Sequence, residues 1–232
     1  MNRHYVLLDA CVASAHFASK TTHSKNLRSR SSTLIDGQPE NMEVHFLIPN
    51  FCIAEVFAVF EKYRWGKTWN KHVKKGNTLT PTEFQNAREA FCSAIHNGSK
   101  ILQIELDRYH ILCVDLIAPI NNAYKIKRNR SKKKSVVPAG SYDMLIAAMG
   151  IWLNHMYGRD NFTIITGDER LCGVIERAKS VSIGQPLRKH LNEVSKNLGL
   201  SYSKDLYPEV INLTKSGKKV LQNRFPDWNP EW

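Results

Sequence analysis

The sequence predicts an α/β protein, a three-layer α/β/α sandwich built on a central parallel sheet. Three observations carry that expectation. Tyr5-Val6-Leu7-Leu8 and Phe162-Thr163-Ile164-Ile165 are short, nearly unbroken apolar runs, the pattern of strands buried on both faces. Each ends at or just before an Asp, and each is followed by a helical pattern. The stretch SYDMLIAAMGIWL at 141–153 is apolar on almost every side, as a helix lying against a sheet should be.

In chain order, the run at 5–8 ends in Asp9, and 10–18 can begin a helix. Residues 19–43 turn polar and read as a surface insertion. His45–Ile48 is a second short apolar run, closed by Pro49-Asn50, and Asn50 can cap a helix over 51–65. Ile53, Val56, Phe57 and Phe60 form its core face, with Glu55 on the flank. A basic, Gly-punctuated loop follows at 66–78. Thr80-Pro81-Thr82-Glu83 is a capping box with Pro at the first helical position, which predicts a helix to about residue 96. Periodicity leaves 101–106 open between strand and helix, and 109–124 reads as helical with an interruption at Pro119. Past the strand at 162–165 come a helix at 169–179, a second at 186–198 and a strand-like 210–213. The main domain is expected to run to about residue 181, with 182–232 as a C-terminal extension packed on it.

Lys and Arg number 33 against 21 Asp and Glu, a net charge of +12 that points to an anionic partner, most often nucleic acid. The bland alternative is a basic protein with no such partner. The five cysteines are scattered without a CxxC pair, and Cys92 with His96 stands alone, so neither a disulfide frame nor a zinc site is indicated. Free thiols, a first apolar run too short for a signal peptide and no run of spanning length together predict a cytoplasmic protein without membrane association.

In a parallel sheet the carboxyl ends of all strands lie on one edge, where open α/β sheets bind ligands. Asp9 and Asp168 should meet there. Asp143, in the first turn of the apolar helix, and Glu55 can join them. Each acid alone has a structural explanation: Asp9 and Asp168 as helix caps, Asp143 as a dipole-compensating acid, Glu55 as a solvated flank. Together, with no obvious basic partner in the sequence, they would repel one another unless a cation sat among them. Carboxylate oxygens suit Mg²⁺ or Mn²⁺.

The ordered set YVLLDA, PNFCIAEVFAVFEKY, SYDMLIAAM and FTIITGDERL resembles the PIN-domain nuclease family over roughly residues 5–181. That family has an Asp closing the first strand, a Glu in an early helix, an Asp opening a late buried helix and an Asp in a Thr-x-Asp turn. The matching positions are Asp9, Glu55, Asp143 and Asp168, with Thr166 as the Thr. The resemblance implies a metal-dependent ribonuclease that uses one or two Mg²⁺ or Mn²⁺ ions and leaves 3′-hydroxyl and 5′-phosphate ends. It also implies RNA as substrate, a homodimer as a common assembly and, for the toxins among its members, a protein antitoxin. The insertion, the basic segment and the C-terminal extension depart from the family's usual size and weaken the toxin assignment most.

Residues 125–134 hold seven basic side chains in ten: Lys125, Lys127, Arg128, Arg130, Lys132, Lys133 and Lys134. They lead into the 141–153 helix and are the expected grip on RNA phosphates; a solvated loop or a localisation signal is the alternative. The aromatic tail, with Phe225, Trp228 and Trp232, reads as a packing strap or partner contact before a base-stacking surface. A receiver domain needs a second acid after the first strand, and a haloacid-dehalogenase-type phosphatase needs Asp-x-Asp there. Asp9-Ala10-Cys11 offers neither. A PIN-like module that binds RNA or protein without cleaving remains the competing reading.

Overall fold

The computed structural model describes residues 3–18, 25–37, 43–69, 78–96, 100–130, 138–180, 184–216 and 218–225. Among the described residues the chain is α/β with a five-stranded, all-parallel sheet, consistent with a three-layer α/β/α sandwich. The strands are β1 (Arg3–Leu8), β2 (Glu43–Pro49), β3 (Ile101–Ile104), β4 (Phe162–Thr166) and β5 (Glu209–Asn212), in the order β3-β2-β1-β4-β5. β1 and β2 run in parallel register with Val6 opposite Phe46 and Leu7 opposite Leu47, and β2 continues onto β3 with Phe46 opposite Ile101. No helix among the described residues is long and apolar enough to cross a membrane.

By its contacts the chain divides into two compact units. The first comprises Met1–Glu105, Ile165–Gly167 and Ile211–Trp232; the second comprises Leu106–Ile164 and Asp168–Val210. The residues beyond 182 are therefore shared between the two.

The first unit carries helices α1 (Ala10–Phe17), α2 (Lys25–Asp36), α3 (Asn50–Trp69), α4 (Pro81–His96) and α10 (Lys218–Arg224). Its core joins Leu7 and Leu8 of β1 and Ile48 of β2 to Phe60 of α3 and Phe91 of α4, all fully buried. Burying such a side chain contributes about 1.5–3 kcal/mol. The buried face of α3 is Cys52, Val56, Phe60 and Tyr63, whereas Ile53 and Phe57 are only half-buried and Glu55 is exposed. The capping box opening α4 forms as expected: Thr80 N–H donates to Glu83 Oε2 at 2.8 Å and Glu83 N–H to Thr80 Oγ1 at 3.2 Å.

Two expectations are corrected here. The 19–43 insertion is not merely a surface excursion, because α2 buries Leu27, Ser31, Leu34 and Ile35. Leu27 and Leu34 lie seven apart, so they share one helical face. The loop expected from Gly66 does not begin there, since α3 continues through that glycine to Trp69; residues 70–77 lie outside the described residues. Of the aromatic tail, Phe225 is buried with its ring edge-on to His4 at 5.1 Å, as a packing strap should be. Trp228 and Trp232 lie outside the described residues.

The second unit carries α5 (Arg108–Leu112), α6 (Val114–Arg130), α7 (Ser141–Tyr157), α8 (Glu169–Ser180) and α9 (Gln185–Asn197). The helical interruption falls at Cys113, between α5 and α6, and not at Pro119, which α6 runs through. Buried Leu116, Ile117 and Ile120 hold that stretch in place by packing. Helix α7 buries nine residues between Met144 and Asn154, the apolar helix the sequence predicts. Gly150 permits its close approach to β4: a Cβ there would meet Ile164 Cδ1 at 2.4 Å. Tyr207 is buried with its hydroxyl donating to the Leu116 carbonyl at 3.0 Å.

Candidate functional site

In the first unit, the turn after β1 brings Asp9 to the start of α1, and Asp9 N–H donates to the Ile165 carbonyl of β4 at 3.1 Å. Asp9 occupies the N-cap position of α1, yet its side chain makes no capping hydrogen bond. Asp9 is 6% exposed, and its carboxylate turns elsewhere. Its Oδ2 accepts from the Thr166 hydroxyl at 2.5 Å and from the Cys11 thiol at 2.9 Å. Burial first, and then the Asp9 carboxylate, push the Cys11 thiol well above its ordinary pKa, so it stays protonated and donates.

Both donors are neutral. A hydrogen bond to a charged acceptor returns about 1.5–3 kcal/mol, while desolvating a carboxylate costs several kcal/mol. The two terms nearly cancel, so the arrangement holds a buried negative charge in place without gaining much from it.

The turn that carries Thr166 is braced around a glycine. Gly167 N–H donates to Cys11 Sγ at 3.0 Å, and a Cβ at Gly167 would meet Leu27 Cδ2 at 2.7 Å and Cys11 Sγ at 3.3 Å. Thr214 Oγ1 donates to the Gly167 carbonyl at 3.3 Å, and Arg30 of α2 donates to the Leu213 carbonyl at 2.7 Å. The insertion helix and the segment after β5 therefore both stabilise the turn beside Asp9. Glu55, in the same unit, stands on the exposed side of α3.

In the second unit, Asp143 and Asp168 share a cation. Asp168 Oδ1 accepts from the Arg170 N–H at 2.7 Å, capping α8. The Arg170 guanidinium spans both carboxylate oxygens, with Nε 3.1 Å from Oδ1 and 3.0 Å from Oδ2 and Nη2 also on Oδ2. The same Nε lies 4.0 Å from Asp143 Oδ2. That oxygen accepts from the Gly140 N–H at 2.7 Å, ahead of α7. Burial alone would push the Asp168 carboxyl up, but Arg170 and the backbone N–H groups of Arg170 and Leu171 outweigh it and hold it below the usual carboxylate value.

Arg170 corrects one step of the sequence argument, which found no obvious basic partner for the acids. Two of them have one. A signal was available, because an Arg two residues beyond an N-cap Asp can fold back onto it. Cys11, two residues after Asp9, was missed in the same way.

Among the described residues, no three His, Cys, Asp or Glu side chains are grouped closely enough to hold a metal ion. Within the first unit Asp9 meets Thr166, and within the second Asp143 and Asp168 meet at Arg170. Their donor chemistry, carboxylate and hydroxyl oxygen, suits a hard divalent ion. Of the basic segment, Lys125, Lys127, Arg128 and Arg130 fall in the last turns of α6, while Lys132, Lys133 and Lys134 lie outside the described residues. No protein-family model matches the chain, and no curated protein is significantly similar to it.

Proposed function

We propose that the protein is a metal-dependent endoribonuclease of the PIN type, hydrolysing RNA phosphodiester bonds. Asp9, Glu55, Asp143 and Asp168 supply the carboxylates for Mg²⁺ or Mn²⁺. The observation that supports this best is Asp9: a buried acid at an N-cap position that caps nothing and is held by Thr166 and Cys11 instead. Those two neutral donors leave the buried charge uncompensated, whereas a cation would make use of it.

When bound, such an ion supplies Lewis acidity for activating water and for offsetting charge on a phosphate. The chain's own residues do the rest. Thr166 fixes one lone pair of Asp9 Oδ2 and so sets the direction of the carboxylate. The protonated Cys11 thiol reinforces that orientation, as an outer-shell partner does for a metal ligand. Gly140 N–H orients Asp143 in the same manner. The basic segment at 125–134 neutralises phosphates along the RNA, which makes binding salt-sensitive.

The test is Asp143→Asn. It should abolish Mn²⁺-dependent cleavage of a mixed single-stranded RNA while RNA binding and melting temperature stay near wild type. Retained cleavage would remove Asp143 from the chemistry. A second reading, a PIN-like module that binds RNA without cutting it, is favoured by one observation. The Arg170 guanidinium already offsets one of the two charges of the Asp143–Asp168 pair, so the pair has a cation of its own without a metal. RNA binding with no cleavage by the wild-type protein in Mn²⁺ would establish it.

A further inference from the structure

We propose that Arg170 is a built-in counter-ion of the Asp143–Asp168 pair that a divalent cation must displace, so that the protein's metal affinity is set by competition with its own guanidinium. The inference rests on the metal-site reading above and goes beyond it. The geometry is that of direct competition. Arg170 Nε and Nη2 cover both oxygens of Asp168, and Nε reaches toward Asp143, so the lone pairs an ion would use are the ones the guanidinium holds. Two neighbouring carboxylates need positive charge to remain ionised together, and either cation can provide it.

The contact is also built to open. The Arg170 side chain is 46% exposed, against 14% for Asp143 and 24% for Asp168. The cap on Asp168 Oδ1 comes from the Arg170 backbone N–H, which stays in place when the side chain rotates away. Departure of the guanidinium therefore leaves α8 capped and requires no rearrangement of the chain. A Lys at this position would be a single point charge without the planar fork that spans both oxygens, and so a weaker competitor.

The experiment titrates Mn²⁺ into the full-length wild-type protein, Arg170→Gln and Arg170→Lys, following free Mn²⁺ by electron paramagnetic resonance. Each protein is also melted in EDTA and in saturating Mn²⁺. Arg170→Gln should bind Mn²⁺ about three- to tenfold more tightly than wild type, the change that loss of a half-exposed, bidentate ion pair produces. Arg170→Lys should fall between them. In EDTA, Arg170→Gln should melt below wild type, and saturating Mn²⁺ should erase the difference, because an ion that binds the folded state raises its stability. Should Arg170→Gln not fold in EDTA, Arg170→Lys carries the comparison.

Equal or weaker Mn²⁺ binding by the variants would overturn the inference and leave the nuclease reading intact, with Arg170 a plain ion pair. Folded wild type and folded Arg170→Gln that both fail to take up Mn²⁺ would overturn the metal-site reading itself, and the inference with it.

Discussion

Asp9 and Asp168 stand at matching points of the chain, each between a buried strand and the helix that follows, and the two are used in opposite ways. Asp168 does what local physics asks of an acid there: it caps α8 and pairs with a guanidinium. The Asp9 side chain makes no cap to α1 and takes its hydrogen bonds from a hydroxyl and a thiol. An N-cap side chain typically contributes about 1 kcal/mol, and Asp9 forgoes it for the Thr166 and Cys11 contacts. The lesson is that an acid at a strand end does not announce which case it is. Its partners do.

The sharpest way to break the comparison is to neutralise each acid in turn. Losing an outer-shell partner of a metal ligand costs about 10–100-fold, so losing the ligand should cost at least about a hundredfold. Asp9→Asn should therefore reduce Mn²⁺-dependent RNA cleavage by that factor or more. In EDTA its melting temperature should match or exceed wild type, because a buried charge has been removed and the Thr166 hydroxyl keeps an acceptor. Asp168→Asn should lose about 0.5–1 kcal/mol of stability in EDTA, since it takes the bidentate charged partner from Arg170, whose contact with Asp143 is longer, and the pair is partly solvated. Denaturant melts of both variants check the opposite signs.

A finer test concerns the neutral partners of Asp9. Cys11→Ser keeps a donor and should cleave near the wild-type rate. Cys11→Val removes it and should lower the rate about tenfold, with little change in RNA binding. Rates for the two variants separate orientation of Asp9 from simple packing.

The smallest effect probes charge pairing away from these acids. Burial would raise the Glu209 carboxyl, but Lys179 at 2.9 Å and Arg159 at 3.0 Å outweigh it and hold its pKa below the ordinary value. A carboxyl depressed in the folded state adds stability above its unfolded pKa and loses it as pH falls through the folded one. Glu209→Gln should thus cost about 0.5–1 kcal/mol at neutral pH, a difference that shrinks below about pH 4. Urea melts across pH would show it.

Much of the fold is legible in the sequence because it is written in local chemistry. Continuous apolar runs such as Val6-Leu7-Leu8, short and followed at once by a helical pattern, suit strands covered on both faces, and the Thr80–Glu83 reciprocal cap needs no tertiary context. Helix α2 is harder to read: its buried Leu27, Leu34 and Ile35 are diluted by Ser and Arg, and the face becomes visible only when it is packed. Helix α3 continues through Gly66 although Gly costs about 1 kcal/mol in a helix. At the candidate site, the meeting of Asp9 with Thr166 follows from the strand ends. The guanidinium on Asp168 depends on a rotamer, which the Asp-x-Arg spacing permits but does not fix.

Mn²⁺ binding to wild type and to Asp9→Asn, measured side by side on folded protein, tests most directly whether this acid is kept for a cation. Uptake of Mn²⁺ by wild type with affinity at least about tenfold weaker in Asp9→Asn is the expected result. Equal affinity in the two proteins would contradict it.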